Sequence, residues 1–336
     1  MRRPGLSVRT EVRVDRILFE ERKAYGVSYL RGAKRFEVRA TREVIVCAGA
    51  FNSPQILHRS GVGPPKLLTD LGVPTVHVLP GVGENLRDHI WVPLIARVKD
   101  VITLNELSRG WRLAREVLRY GLTRKGLLAL PPTLVFASWH SDEAARNCDI
   151  LLTFTPGSYG KGFEAGLDIV PGVTGGVFVH RTESRGYVRA RSTDPFEPPV
   201  IQHNYFSDEI DQRATLAGLR LMRRIFATPA FARYYPSESV PGEQVRSDDE
   251  LLAHCRETGS SGYHPLGSCR MGPAADPGAV VNEELCVHGV QCLRVVDASV
   301  MPTMPSANLN ASTLMIAEKA ADMILKRAPL PAAELF

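Results

Sequence analysis

No G-x-G-x-x-G occurs anywhere in the 336 residues, which removes the usual sequence sign of a loop that cradles a dinucleotide pyrophosphate. No C-x-x-C pair and no histidine at zinc-like spacing accompanies Cys47, Cys148, Cys255, Cys269, Cys286 or Cys292. No metal site is expected, and reduced thiols in a cytosolic setting are. Cys47 reads as a small core residue inside an apolar strand. No apolar run approaches the length of a bilayer span, and the opening Met1-Arg2-Arg3-Pro4 leads into an alternating segment with no apolar leader. A cytoplasmic protein is expected, with contact at the periphery of the inner membrane left open. Charge is balanced as well: 41 Lys and Arg against 36 Asp and Glu give +5, without a dense basic block or interleaved aromatics. Nucleic-acid binding is not expected.

What is present suits a globular protein of one large domain or two, with 44% hydrophobic and 23% charged residues. Residues 6–18 alternate in the manner of a strand, and 25–30 and 35–40 predict two more joined at Gly32. Val44 to Ala48 is a short continuous apolar run, the pattern of a buried parallel strand. Ser53-Pro54 predicts a helix start, and a short helix follows over 66–71. Residues 105–128 repeat apolar and charged groups at helical spacing. Strands are predicted over 149–156, 175–180 and 186–191. Helices are predicted over 208–227, from Ser247 onward, and over 310–327, with a strand over 293–298. The fold class is α/β with mixed α+β character. An incomplete Rossmann-like domain over 1–91 and 256–330 is interrupted by a domain over 92–255, built on an antiparallel sheet and helices.

Two segments carry chemistry. In Ser261-Gly262-Tyr263-His264-Pro265-Leu266-Gly267-Ser268-Cys269-Arg270-Met271-Gly272, a histidine fixed beside a proline is a candidate base near neutral pH. In Leu293 to Pro302, an apolar strand delivers Asp297 and runs into Ser306-Ala307-Asn308-Leu309-Asn310, a common way to hold a nucleotide cofactor. Each has a plainer reading. His264 alone is more often structural, Asp297 can close a turn after its strand, and Asn308 can cap the following helix. Asn310 is an equally good cap, which leaves one of the two asparagines free. The remaining histidines share no spacing and read as surface or packing residues.

These segments have a family resemblance. Gly49-Ala50-Phe51-Asn52-Ser53-Pro54-Gln55-Ile56-Leu57, with Ser60-Gly61-Val62-Gly63, resembles a signature of the glucose-methanol-choline oxidoreductases. Gly81-Val82-Gly83-Glu84-Asn85-Leu86-Arg87-Asp88-His89 is similar to that family's following loop, and the histidine and asparagine segments fit its C-terminal end. The resemblance implies an FAD-dependent enzyme that oxidises an alcohol to an aldehyde or ketone. His264 Nε2 would take the hydroxyl proton, a hydride would pass to flavin N5, and Asn308 would hold the substrate oxygen. It places Val14, Gly49, Ala50, Asp297, Ala298, Leu309 and Asn310 against FAD, and makes Asp88-His89 a structural loop near the flavin. The implied substrate is a small alcohol, of choline dehydrogenase-like or general alcohol dehydrogenase type, and the electron acceptor a quinone or another species. Residues for a quaternary-ammonium cage are not identifiable at this level.

The resemblance also implies a departure. Family members open with a βαβ unit that holds the dinucleotide fingerprint, and this sequence reads as the C-terminal portion lacking it. The alternative to a working enzyme is therefore a non-catalytic truncated fragment, or a subunit of a split enzyme completed by a separate FAD-binding chain.

Overall fold

A computed structural model describes residues 4–131, 133–142, 147–160, 166–235, 237–328 and 331. They form two compact units, one from residues 1–87, 185–204 and 264–336, the other from 88–184 and 205–263.

The first unit begins with an antiparallel meander of Arg13–Glu20, Lys23–Arg31 and Lys34–Arg39. The first strand starts at Arg13, where pairing with Leu30 begins, although the alternation extends back to Leu6. Leu6 and Val8 are exposed, because alternation without a partner strand buries nothing. Val44–Val46 lies parallel to Leu293–Val295, with Val44 opposite Leu293 and Val46 opposite Val295. The pairing continues at both ends, from Val44 N–H to the Cys292 carbonyl at 2.9 Å and from Val296 N–H to the Val46 carbonyl at 2.8 Å. Val44 and Val46 face a core shared with Ile17, Leu57, Val280 and Val295. Cys47, expected in that core, is exposed. The two-residue period of a strand puts it on the same side as the exposed Ile45.

The helix after this strand differs from its sequence-based start at Ser53-Pro54. It runs Gly49–Arg59, with Ala48 at its N-cap position and Pro54 inside it. Proline at residue 54 leaves the Ala50 carbonyl without its helical donor. Ser268 Oγ donates to that carbonyl at 2.5 Å, which is how the helix tolerates the proline. The hairpin Tyr187–Arg189 and Val200–Gln202 also belongs to this unit. The expected uninterrupted insertion over 92–255 is corrected accordingly. Gly186 and Leu86 exchange both backbone hydrogen bonds, at 2.8 and 3.0 Å, and Val188 N–H reaches the Gly83 carbonyl at 2.7 Å.

The second unit is built on a six-stranded antiparallel sheet. Its order is Ser237–Val240, Ile90–Arg97, Gly172–Val179, Ile150–Thr155 and Val135–Trp139, with Ser260–Ser261 also paired to Ile90–Arg97. One helix, Glu209–Phe226, lies on this sheet, capped where Asp208 accepts from Ile210 N–H. Its apolar face buries Ala214, Leu219, Met222 and Phe226 against Val173, Val177 and Leu152. The close approach depends on glycine: a Cβ on Gly218 would strike Val177, and one on Gly175 would strike Met222. The Asp248–Thr258 helix opens with the reciprocal Ser247–Glu250 capping box that its acidic start predicts. Residues 105–128, continuous in their periodicity, divide into Leu104–Leu107, Gly110–Thr123 and a short turn at Leu127–Ala129.

Candidate active site

His264 is half-buried and opens a segment threaded between two others. Two residues on, Leu266 exchanges backbone hydrogen bonds with Arg87, both at 3.0 Å. Gly267, Cys269 and Met271 then donate in turn to the carbonyls of Ala298, Ser299 and Val300, at 3.3, 2.8 and 2.8 Å. Gly267 is required here: its φ is +85°, and a Cβ would lie 2.6 Å from the Asn85 carbonyl oxygen. Cys269 behind it is fully buried, and burial, with the Asp297 charge as a lesser cause, pushes its thiol pKa up. It is a packing group.

Asp297 follows the Leu293–Val295 strand and is buried. One carboxylate oxygen accepts from Gly49 N–H at 2.9 Å and from Ser53 Oγ at 2.6 Å; the other accepts from Ser299 N–H at 2.8 Å. Ser53 Oγ in turn accepts from Ala48 N–H at 3.1 Å. The carboxylate thus ties together the ends of the two parallel strands, at the carboxyl edge where open α/β sheets bind ligands. Gly49 has φ +79° and no heavy atom near the position of a Cβ, and the first turn of its helix holds no acidic residue. Ala298 is half-buried beside Asp297. Val14 sits at a bulge, where Asp15 interrupts the register between Val14–Tyr29 and Arg16–Ser28.

Asn308 occupies the N-cap position of the Leu309–Ile324 helix, yet its side chain makes no capping hydrogen bond and is exposed. Asn310 is exposed within the first turn. The structure relates the two candidate catalytic segments through packing. Leu266, two residues after His264, and Leu309, one after Asn308, share a buried cluster with Met301 and Met304.

The second unit contributes a feature with no signal in the sequence. A cavity of about 180 Å³ is walled by Trp91, Phe136, Tyr159, Phe178 and Tyr263, with Thr133, Thr153, Thr155 and Ser260 to Gly262 completing it. Trp91 and Tyr159 meet edge to face at 6.3 Å. The aromatic residues come from separate strands and loops, so no local spacing announces them. Among the described residues, neither a carboxylate nor a cationic side chain lines the cavity. Its Ser261 wall is pinned by Asp88, whose Oδ2 accepts from Ser261 Oγ at 2.5 Å and from Tyr205 OH at 2.7 Å. Burial and then the Asp88 charge push the Tyr205 pKa up, which keeps it a donor. Tyr263 has φ +59°, a conformation that bulky residues adopt only under constraint, and the next residue in the chain is His264.

Two other histidines are held by backbone partners. His58 is fully buried, with Nε2–H donating to the Val82 carbonyl at 3.1 Å and Nδ1 accepting from Ala190 N–H at 3.4 Å. Burial, with lesser repulsion from Arg59 and Arg189, pushes its pKa down to about 4. His89 Nε2–H donates to the His180 carbonyl at 2.9 Å, and its ring packs edge to face with Phe178. Among the described residues, no group of three or more His, Cys, Asp or Glu is placed to hold a metal.

Comparison with known proteins bears on this arrangement. The models of the GMC oxidoreductase family match twice, the N-terminal model over residues 1–91 and the C-terminal model over 182–317. The chain belongs to the GMC, or glucose-methanol-choline, oxidoreductase family and has its mixed α/β fold. The first match corrects in part the expectation of a C-terminal portion lacking the N-terminal dinucleotide-binding segment, because part of the family's N-terminal region matches residues 1–91. An oxygen-dependent choline dehydrogenase of Burkholderia cenocepacia is 41% identical over 330 residues, 98% of this chain and 57% of the relative. One from Cronobacter sakazakii is 40% identical, over 98% and 59%. Among solved structures, an FAD-dependent oxidoreductase from Chaetomium thermophilum superposes with a TM-score of 0.85 at 26% identity, over 96% of this chain and 62% of that one. Pyridoxine 4-oxidase from Mesorbium loti gives 0.80 at 25%, over 95% and 58%. The chain spans under three fifths of the length of both choline dehydrogenases.

Proposed function

We propose that this chain carries the base and substrate-holding parts of an FAD-dependent alcohol oxidoreductase, in which His264 takes the hydroxyl proton and Asn308 holds the substrate oxygen. The observation that carries the reading is the buried cluster that Leu266 and Leu309 share with Met301 and Met304, which couples the two segments through side chains one or two residues from the proposed working groups. The N-cap asparagine that leaves its own helix uncapped supports the role of Asn308. A proton acceptor beside the alcohol is worth about 10²–10⁴-fold in rate.

The residues fit FAD at one edge. Gly49 and Ala50, at the N-terminus of a helix without acidic residues, would face its negatively charged groups. Ala298, Leu309 and Asn310 would line a second helix start, and Val14 would meet it through the backbone of its bulge. The three donors on Asp297 make that carboxylate a brace for the Gly49 and Ser299 backbone. When bound, FAD supplies the acceptor for the hydride.

The aromatic cavity, which lies wholly within the second unit, is a candidate pocket for the substrate. Five aromatic walls, with no carboxylate among the described lining residues, suit a compact alkylated ammonium, held by cation–π attraction, as in choline. The choline dehydrogenase relatives point the same way. Choline and its neutral isostere 3,3-dimethylbutanol should then differ in KM by about two- to thirtyfold, in favour of choline. Equal KM values would give the cavity to a neutral alcohol.

A second reading concerns completeness. A two-stranded parallel sheet with Ile45 exposed on its open face is uncovered, whereas parallel strands are ordinarily packed on both faces. Leu314 and Met315 on the Leu309–Ile324 helix are more than half exposed as well. We infer that a further FAD-binding segment, on this or a separate chain, covers these faces.

The test is the visible spectrum of the chain alone, and again after mixing with the N-terminal portion of a choline dehydrogenase relative. A flavin band that appears on mixing and bleaches anaerobically with an alcohol supports both readings. In that complex, His264→Ala should keep the band and slow bleaching by about 10²–10⁴-fold. Unchanged bleaching would remove His264 from the proposal.

A further inference from the structure

The chain from Ser260 to Leu266 is held at both ends by residues that are neighbours in sequence. At one end Leu266 exchanges backbone hydrogen bonds with Arg87, both at 3.0 Å. At the other, Ser260 and Ser261 pair with Trp91 and Ile90, and Gly262 N–H extends this ladder to the His89 carbonyl at 2.6 Å. Gly262 has no room for a side chain there: a Cβ would lie 2.9 Å from the Phe178 ring and 3.0 Å from the His89 carbonyl oxygen. The chain then leaves the sheet through Tyr263, whose φ is +59°, and passes His264 before Pro265. A proline confines the residue before it to extended conformations. The direction in which His264 is presented therefore depends on Tyr263.

Tyr263 is not held by packing. Bulky residues enter the left-handed region only at a cost in free energy, and Tyr263 is 67% exposed. What fixes its backbone is a relay of polar groups. Its N–H donates to Ser261 Oγ at 2.9 Å. Ser261 Oγ donates in turn to Asp88 Oδ2 at 2.5 Å, and the same carboxylate oxygen accepts from Tyr205 OH at 2.7 Å. Asp88 is buried. The direction of the relay follows from its chemistry. A carboxylate only accepts, so Asp88 draws the Ser261 hydroxyl hydrogen to itself and leaves the oxygen lone pairs to the Tyr263 N–H. A buried acidic side chain thus sets the main-chain conformation of an exposed residue, one position before the proposed base.

We propose that Asp88 is a positioning residue for the alcohol oxidation: acting through the Ser261 hydroxyl, it locks Tyr263 in the left-handed turn that aims His264 and sets the Tyr263 wall of the aromatic cavity. The role rests on the reading of His264 as the base.

The first measurement needs no flavin. Amide hydrogen exchange of the full chain, followed by NMR, reads the Tyr263 N–H directly. Ser261→Ala and Asp88→Asn should speed exchange at Tyr263 by about tenfold or more, with the Leu266 amide unchanged. Asparagine has this effect because an amide no longer fixes the hydroxyl hydrogen. Ser261→Thr, which keeps the hydroxyl, should retain the parent's protection. In the flavin-loaded complex, Ser261→Ala and Asp88→Asn should slow bleaching by an alcohol about 10–100-fold, and Ser261→Thr should bleach at the parent's rate. Combining Ser261→Ala with Asp88→Asn should be no slower than the slower single variant, as one relay requires. Unchanged Tyr263 exchange in Ser261→Ala overturns the proposal. So does parent-like bleaching in both single variants when His264→Ala is slow. Parent-like bleaching in His264→Ala removes the base itself, and the positioning role with it, even where the Tyr263 amide responds as expected.

Discussion

Ser268 Oγ donates to the Ala50 carbonyl at 2.5 Å, across 218 positions of sequence, and stands in for the N–H that Pro54 cannot supply. The hydroxyl and the proline form one device: the proline opens a helix carbonyl, and a serine from the His264 segment closes it. Ser268→Ala should therefore cost about 1–3 kcal/mol, the penalty of a buried acceptor left unmet. In a Pro54→Ala background, residue 54 regains its donor and the cost of Ser268→Ala should shrink. Urea unfolding of the four proteins measures the coupling, and equal costs in both backgrounds would deny it.

His58 sets an acid limit on the first unit. Its folded pKa, about 4, lies below the ordinary 6.5, so the unfolded chain binds the proton more readily. The stabilisation is whole above about pH 6.5 and is lost as pH falls toward 4, by up to about 3 kcal/mol in all. His58→Gln should lower stability at neutral pH and flatten this decline. Urea midpoints across the interval check the slope, and a decline as steep as the parent's would place its origin elsewhere.

Arg223 and Glu238 form a paired fork in the second unit, Nε to Oε2 at 2.9 Å and a terminal nitrogen to Oε1 at 2.7 Å, with the Glu238 side chain almost wholly buried. Arg223 also donates to the Val245 carbonyl at 2.8 Å. Glu238→Ala should cost about 3–5 kcal/mol because it strands a half-buried guanidinium. Arg223→Met/Glu238→Leu should recover most of that loss. Thermal unfolding of the single and double variants decides the matter, and a double variant as weak as the single one contradicts it.

Gly176 controls the aromatic cavity from beneath. A Cβ there would run into Trp91 Nε1 and Thr153 Oγ1, both on the cavity wall. Gly176→Ala should cost about 1–3 kcal/mol by overpacking. In the flavin-loaded complex it should raise KM for bulky alcohols more than for small ones. A uniform fall in kcat with KM unchanged would mean that the cavity does not hold substrate.

Much of the architecture was legible because it is local. The Glu209–Phe226 and Asp248–Thr258 helices announce themselves by apolar spacing and acidic caps, and the parallel strands Val44–Val46 and Leu293–Val295 by short apolar runs. Where local signals competed, tertiary contacts won. Ser53-Pro54 has the composition of a helix start, yet Ser53 is spent on Asp297 and Ala48, and the helix begins at Gly49. Cys47 belongs to an apolar run, yet strand alternation turns it outward. Residues 185–204 follow the second unit's strands in sequence, yet pair with Leu86 and Gly83 of the first.

The sequence by itself determined which residues are candidates for the chemistry, because a histidine beside proline and paired asparagines at a helix start are written into short motifs. Only the tertiary structure decided what surrounds them. The Asp297 brace, the cluster of Leu266 and Leu309 with Met301 and Met304, and the five aromatic walls join residues tens to hundreds of positions apart. The hydrogen bond of Ser261 to Asp88 is a decision of the same kind, because partners 173 positions apart leave no trace in local periodicity.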